Sequence, residues 1–140
     1  MQRASKATNS ARNISYTVPF SGTVSEAVEA LTNELKKRGF GVLASIDVRK
    51  LIKEKLDEHM DSFVILDICS PRHAKKALDA HKEVGLILPC KTTVYEDKGK
   101  VYVSLFKPTS AISILGFEDL DSLALMVEEE LKEALDAVSA

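Results

Sequence analysis

Tryptophan is absent and aromatic residues make up only 6% of the chain, which leaves few platforms for stacking nucleic-acid bases. The formal net charge is −2, so no global basic field draws in a polyanion. Both features point away from nucleic acid as a partner. No apolar run approaches the roughly 20 residues that a membrane span needs, and the first residues lack the apolar core of a secretory signal. These absences lead to the expectation of a cytoplasmic protein whose two cysteines, Cys69 and Cys90, stay reduced. There is no Gly-rich phosphate loop, no Ser-His-Asp order, no pair of catalytic carboxylates and no H-E-x-x-H helix. An enzyme is therefore allowed by the sequence but not required. What remains is 45% hydrophobic and 29% charged residues over 140 positions, an ordinary globular composition long enough to bury a core without cross-links. One domain is expected over residues 14–140. A disordered tail is expected over residues 1–13, which hold Arg3, Lys6 and Arg12 but no acid.

Periodicity sets the order of elements. Residues 14–20 alternate as a strand, with Ile14, Tyr16 and Val18 on one side. Thr23 and Glu26 form a capping box. The helix they open carries Val24, Ala27, Val28, Leu31 and Leu35 on one stripe, and Gly39 closes it. A second strand spans 40–46. Asp47 caps a short helix with an expected inner stripe of Val48, Leu51, Ile52 and Leu56. Its other face, Arg49, Lys50, Lys53 and Lys55, reads as solvated. Residues 62–69 are nearly continuous in apolar side chains and read as an interior strand. Ser70 as N-cap and Pro71 at the first position start a helix whose inner face is Ala74, Ala77, Leu78 and His81, with Gly85 ending it.

Residues 86–96 and 100–106 form a hairpin. A two-residue turn at Lys98-Gly99 puts Cys90, Thr92, Val94, Val101, Val103 and Leu105 on the core face. Residues 107–116 read as a loop or short helical turn. A long helix follows over about 118–138, with Leu120, Leu123, Ala124, Val127, Leu131, Ala134, Leu135 and Val138 inward. Glu128, Glu129, Glu130 and Glu133 are expected to face out. The order β-α-β-α-β-α-β-β-α argues the α+β class, with a largely antiparallel sheet and helices mainly on one face.

The central motifs carry a family resemblance. Cys69-Ser70-Pro71 with Ala74, Ala77 and Leu78, then Val84-Gly85-Leu86-Ile87-Leu88-Pro89-Cys90, then Val94-Tyr95-Glu96-Asp97, resemble the family called domain of unknown function 302. The likeness is to its branch with C-x-P and L-P-C motifs. It covers about residues 16–138 and includes Gly39-Phe40, Val42-Leu43 and Asp47-Val48. The resemblance implies a TATA-binding-protein-like α+β fold, a curved antiparallel sheet around a long C-terminal helix, commonly as a homodimer. It implies neither DNA binding nor any particular activity. Two positions depart from the family pattern. Ser70 stands where Asn is usual between Cys and Pro, and Lys91 stands where Asn is usual after the second Cys, so whatever those amides would bind is bound differently here.

The candidate site lies in the same stretch. Cys69 immediately precedes a helix N-terminus, where free N–H groups and the helix dipole favour a thiolate. Cys90 follows a proline on the next strand. If those strands are neighbours, the two sulfurs would approach as a redox pair or a soft-metal site, or else pack as inert core thiols. His73, four residues after Cys69, could promote the thiolate or supply a nitrogen ligand, or simply face solvent. His81 is expected in the core and His59 in an exposed loop. Asp67 shares a strand face with Cys69 and must face water or line a pocket, with Lys91 as a possible partner. A zinc site from Cys69, Cys90 and two histidines lacks C-x-x-C spacing. The ligand-binding candidates are thus Asp67, Cys69, Pro71, His73, Cys90 and Lys91, with Cys69 as candidate nucleophile and no cofactor specified. The leading expectation is a small binding or sensor module with a pocket near Cys69 and Cys90, taking a small molecule or a metal. The alternatives are a thiol redox protein or enzyme using Cys69, a soft-metal-binding protein, and an interaction module built on an edge strand or the long helix.

Overall fold

In the computed structural model, which describes residues 13–140, the capping box forms as expected. Glu26 N–H donates to Thr23 Oγ1 at 3.1 Å, and Thr23 N–H donates to Glu26 Oε1 at 2.9 Å. It opens helix α1 (Val24–Lys37), which buries Val24, Ala27, Leu31 and Leu35. Gly39, at φ +81°, then reverses the chain. Its N–H donates to the Lys36 carbonyl at 3.2 Å and that of Phe40 to the Leu35 carbonyl at 2.9 Å. This double closure satisfies carbonyls the helix end would leave free.

Strand β1 (Ser15–Phe20) precedes α1. After it come β2 (Gly41–Asp47), α2 (Val48–Leu56), β3 (Phe63–Cys69), α3 (Pro71–Ala80) and a 3-10 segment (Lys82–Leu86). The hairpin β4 (Cys90–Asp97) and β5 (Lys100–Phe106) leads to α4 (Pro108–Leu115), a 3-10 turn (Glu118–Leu120) and the long α5 (Asp121–Val138). The five strands form one antiparallel sheet in the order β1-β5-β4-β3-β2. The α+β class and the long C-terminal helix are as expected. Where a loop or short helical turn was expected, Pro108 at the first helical position begins an eight-residue helix. The expected tail lies outside the described residues except for Asn13. Among the described residues no helix is long and apolar enough to cross a membrane.

The hairpin register is the expected one. Asp97 pairs with Lys100, Tyr95 with Tyr102, Val94 with Val103 and Thr92 with Leu105. Lys98 and Gly99 have φ +52° and +80°, both positive, as a type I′ turn requires. One sheet face therefore meets α1 and α5, and Leu66, Ile68, Val94, Val103 and Leu105 pack with Leu31, Leu35, Leu131 and Leu135 in the main core. A second, smaller cluster of Ala77, Val84, Ile112, Leu120 and Ala124 joins α3, the 3-10 segments, α4 and the start of α5.

Five expectations about the helices need correction. Helix α2 buries none of its residues. Of its expected inner stripe Val48 and Ile52 are half-buried while Leu51 and Leu56 are exposed, because it follows the edge strand β2, itself exposed from Leu43 to Asp47. Ser70 makes no side-chain cap bond to α3. That helix ends at Ala80, before Gly85, and His81 is extended at φ −147°. His81 is thus outside the core: its ring stacks on Phe117 at 3.8 Å, and its Nε2 lies 2.9 Å from both oxygens of Asp119. Glu128 is buried rather than outward, with 4% exposure. It carries polar partners that offset the cost of burial.

Candidate functional site

The seam between the two core clusters is not filled. Its walls come from the ends of β3, β4 and β5 on one side and from α3, α4 and α5 on the other. Many of the facing residues are small: Cys69, Ser70, Ala74, Ala77, Cys90, Ala111 and Ala124. Short side chains from opposite walls do not meet, and a cavity of about 70 Å³ is left, where about 10–15 Å³ suffices for one water. Apart from His73 its wall is otherwise aliphatic or aromatic, with Phe40, Ile68, Phe106 and Val127 among the larger residues.

Cys69 and Cys90 both border this cavity and both are free thiols. They do not form the expected pair. Cys90 stands opposite Ile68 in the β3–β4 ladder, on the core face, Cys69 is the last residue of β3, and no disulfide joins them. Burial pushes the Cys69 thiol above its ordinary range, against the expectation of a thiolate. Cys69 lies two positions ahead of the first helical residue, Pro71, which has no N–H to offer, so burial outweighs the helix terminus. Burial, with a further push from Cys69, raises Cys90 to about 11.

His73 is half-buried on the cavity wall rather than solvent-facing. Its Nε2 lies 3.0 Å from Glu130 Oε1 on α5, and its ring is 5.9 Å from that of Phe40. Its Nδ1 is buried and has no hydrogen-bond partner. Asp67 and Lys91 are ladder partners and form an ion pair, as the sequence suggested. Neither borders the cavity, nor does Pro71. His59 is exposed. Glu130 is the neighbour of His73 that sequence reasoning missed, since a Glu in an acid-rich run reads as solvated. Its spacing to His73 is 57 residues, and no local pattern reveals it.

Residues 15–138 match the family described as Domain of unknown function DUF302. The chain belongs to that family. It is similar to the crystal structure of an uncharacterized conserved DUF302 protein from Bacillus stearothermophilus, at 33% sequence identity and a TM-score of 0.87. The alignment covers 90% of this chain and 98% of that one. No curated protein matches the chain. For this DUF302 chain, then, chemistry must be argued from its own side chains. Among the described residues, no three His, Cys, Asp or Glu groups come together as metal ligands. What the arrangement offers is an apolar space bordered by two protonated thiols and one imidazole.

Proposed function

We propose that this DUF302 chain is a small binding module whose cavity, at the seam of the two core clusters, takes a small and mainly apolar molecule. The unfilled space itself carries the reading. An apolar wall around a space of about 70 Å³ is favourably removed from water by an apolar occupant that fits. The thiols favour binding over nucleophilic chemistry, because both are held in the protonated form and a protonated thiol is a weak nucleophile. The test is a thermal-shift and calorimetric titration with toluene, on the wild type and on Ala124→Leu, which fills the space from α5. Toluene should raise the wild-type melting temperature and leave the variant unmoved. No effect on the wild type would refute the reading.

A second observation bears on partners. The β1 edge is guarded: it contains Pro19, whose carbonyl accepts the Ala140 N–H at 2.9 Å, and Tyr16 donates to Asp136 Oδ1 on α5 at 2.6 Å. The β2 edge is less guarded. A register shift between Val42 and Ala44 bends one end of it, but it carries no Lys, Arg or Pro and Leu43 is 64% exposed, so residues 44–47 leave an edge open to a partner strand. We infer a homodimer in which the β2 edges of two copies pair antiparallel, an arrangement a two-fold axis generates without a second kind of surface.

A further inference from the structure

The cavity has one polar end. Of its polar lining side chains, Cys69, Ser70 and His73 come from a single stretch, the turn from β3 into α3, and only Cys90 comes from elsewhere. Ser70 is 9% exposed and stands at the N-cap of α3, yet its side chain makes no cap bond. Its hydroxyl has no other partner among the described residues. Nor is it sealed in. The part-buried side chains whose polar atoms are both closed to water and unpartnered are His73 and Thr92, so Ser70 Oγ stays open to the cavity that it lines. Donors dominate this end. Pro71 has no N–H, and the first amide of α3 to bond within the protein is that of Ala74, to the Ser70 carbonyl at 2.9 Å. The amides of Arg72 and His73, in the same turn, are left free. His73 offers no acceptor in return, because its Nε2 is engaged by Glu130 and its Nδ1 is closed off.

We propose that the occupant of this cavity is a small, neutral, mainly apolar molecule with one carbonyl oxygen, which accepts a hydrogen bond from the Ser70 hydroxyl. This rests on the binding reading above and specifies its ligand class. A pure hydrocarbon would fill the space but leave a nine-tenths buried hydroxyl without a partner, which native proteins rarely do. A molecule offering only a donor would meet the Ser70 oxygen and leave the donors of this end unanswered. A carboxylate would lose its hydration among apolar walls, and the charged group that touches the wall residue His73 is itself an acid, Glu130. A ring ketone meets all three conditions.

The experiment is calorimetric titration of the full chain with cyclohexanone and with methylenecyclohexane, rings of one shape that differ only in C=O against C=CH₂. Both should bind the wild type. Ser70→Ala should weaken cyclohexanone about 5- to 10-fold, the worth of one hydrogen bond, and leave methylenecyclohexane unchanged. Ser70 caps nothing through its side chain, so the variant loses no cap. A measurement on the wild type alone stands apart from the variant's folding: the infrared carbonyl stretch of bound cyclohexanone should lie below its position in hexane. In Ser70→Ala it should move back toward that position. An unshifted stretch, an equal effect of Ser70→Ala on the two rings, or binding of methylenecyclohexane alone would overturn this inference and leave the binding reading intact. Failure of both rings to bind would overturn the binding reading and this inference with it.

Discussion

A single carboxylate oxygen of Glu128 accepts both the hydroxyl and the backbone N–H of Thr109, at 2.6 and 3.0 Å. The bonds join α5 to the first turn of α4. Lys107, at the N-cap of α4, has no side-chain acceptor, and Pro108 has no N–H. Thr109 thus presents the first free donor of that helix, and α5 supplies the cap that the local sequence cannot. The other oxygen of Glu128 lies 3.0 Å from Lys132 Nζ.

Glu128 should make stability depend on acid pH. Burial alone would raise its pKa, but the Thr109 hydroxyl, the Thr109 N–H and Lys132 outweigh burial and hold it below the usual carboxylate range. A depressed folded-state pKa contributes stability that is present above the unfolded value, about 4.3, and is lost as pH falls through the folded value. Glu128→Gln should cost about 1.5–3 kcal/mol at pH 7. Urea unfolding of both proteins between pH 7 and pH 3 should show that gap closing toward acid. A gap constant with pH would mean the carboxylate charge contributes nothing.

Leu131 lies mid-helix in α5 with no exposed surface and packs in the main core. Leu131→Ala should cost about 2–5 kcal/mol, since the removed atoms leave a cavity that the rigid sheet does not close. Denaturant midpoints measure this directly, and an unchanged midpoint would contradict the docking of α5.

Thr92 offers the opposite case. It is fully buried on β4, and its hydroxyl has no hydrogen-bond partner. Thr92→Val keeps the shape and removes the orphaned group, so it should stabilise the protein by about 1 kcal/mol. A lowered midpoint would show that the hydroxyl is satisfied in solution, for example by water.

These residues also show what the sequence could and could not disclose. The α1 stripe was legible because capping box, helical period and closing glycine all agree. The hairpin was legible because Lys98-Gly99 and the alternation of valines admit one good register. The Asp67–Lys91 pair followed once β3 and β4 were neighbours. Helix α2 misled because an amphipathic period reports a stripe, not the presence of a layer beneath it. Glu128 misled in the other direction. Its spacing, four after Ala124 and three before Leu131, places it on the buried stripe, but its charge argued outward, and the donor that rescues it lies 19 residues away. The cavity was invisible for a related reason. It arises from small residues in separate segments, and only the fold brings Ala77, Cys90, Ala111 and Ala124 to face one another.

If β2 is the dimer edge, charge placed there should separate the copies. Leu43→Lys and Ile46→Lys put lysines on the strand, the device by which natural edges resist pairing. Light scattering at tens of micromolar should give a dimer for the wild type and a monomer for the double variant, with matching circular dichroism. A wild type that is monomeric at high micromolar concentration would exclude the interface.

The thiols decide between a binding module and a thiol enzyme. A nucleophilic cysteine must be both ionised and reachable. Burial raises Cys69 above its ordinary value, and Cys90 stands near 11. A free cysteine ionises with a pKa of about 8.5, so both should be slow at neutral pH, and Cys90 slower than Cys69. The linkage sign follows: a raised folded-state pKa stabilises the fold while the thiol stays protonated, and that contribution is lost as pH climbs from the unfolded value toward 11 for Cys90. Iodoacetamide labelling of Cys69→Ser and Cys90→Ser from pH 6 to pH 10 reads each thiol alone. Neither rate profile should show an inflection below about pH 8.5. In urea both thiols should revert to ordinary reactivity, which confirms that burial is the cause. A folded Cys90→Ser variant whose Cys69 labels rapidly with an inflection near pH 7 would reverse the conclusion, since only a thiolate stabilised against burial reacts that way.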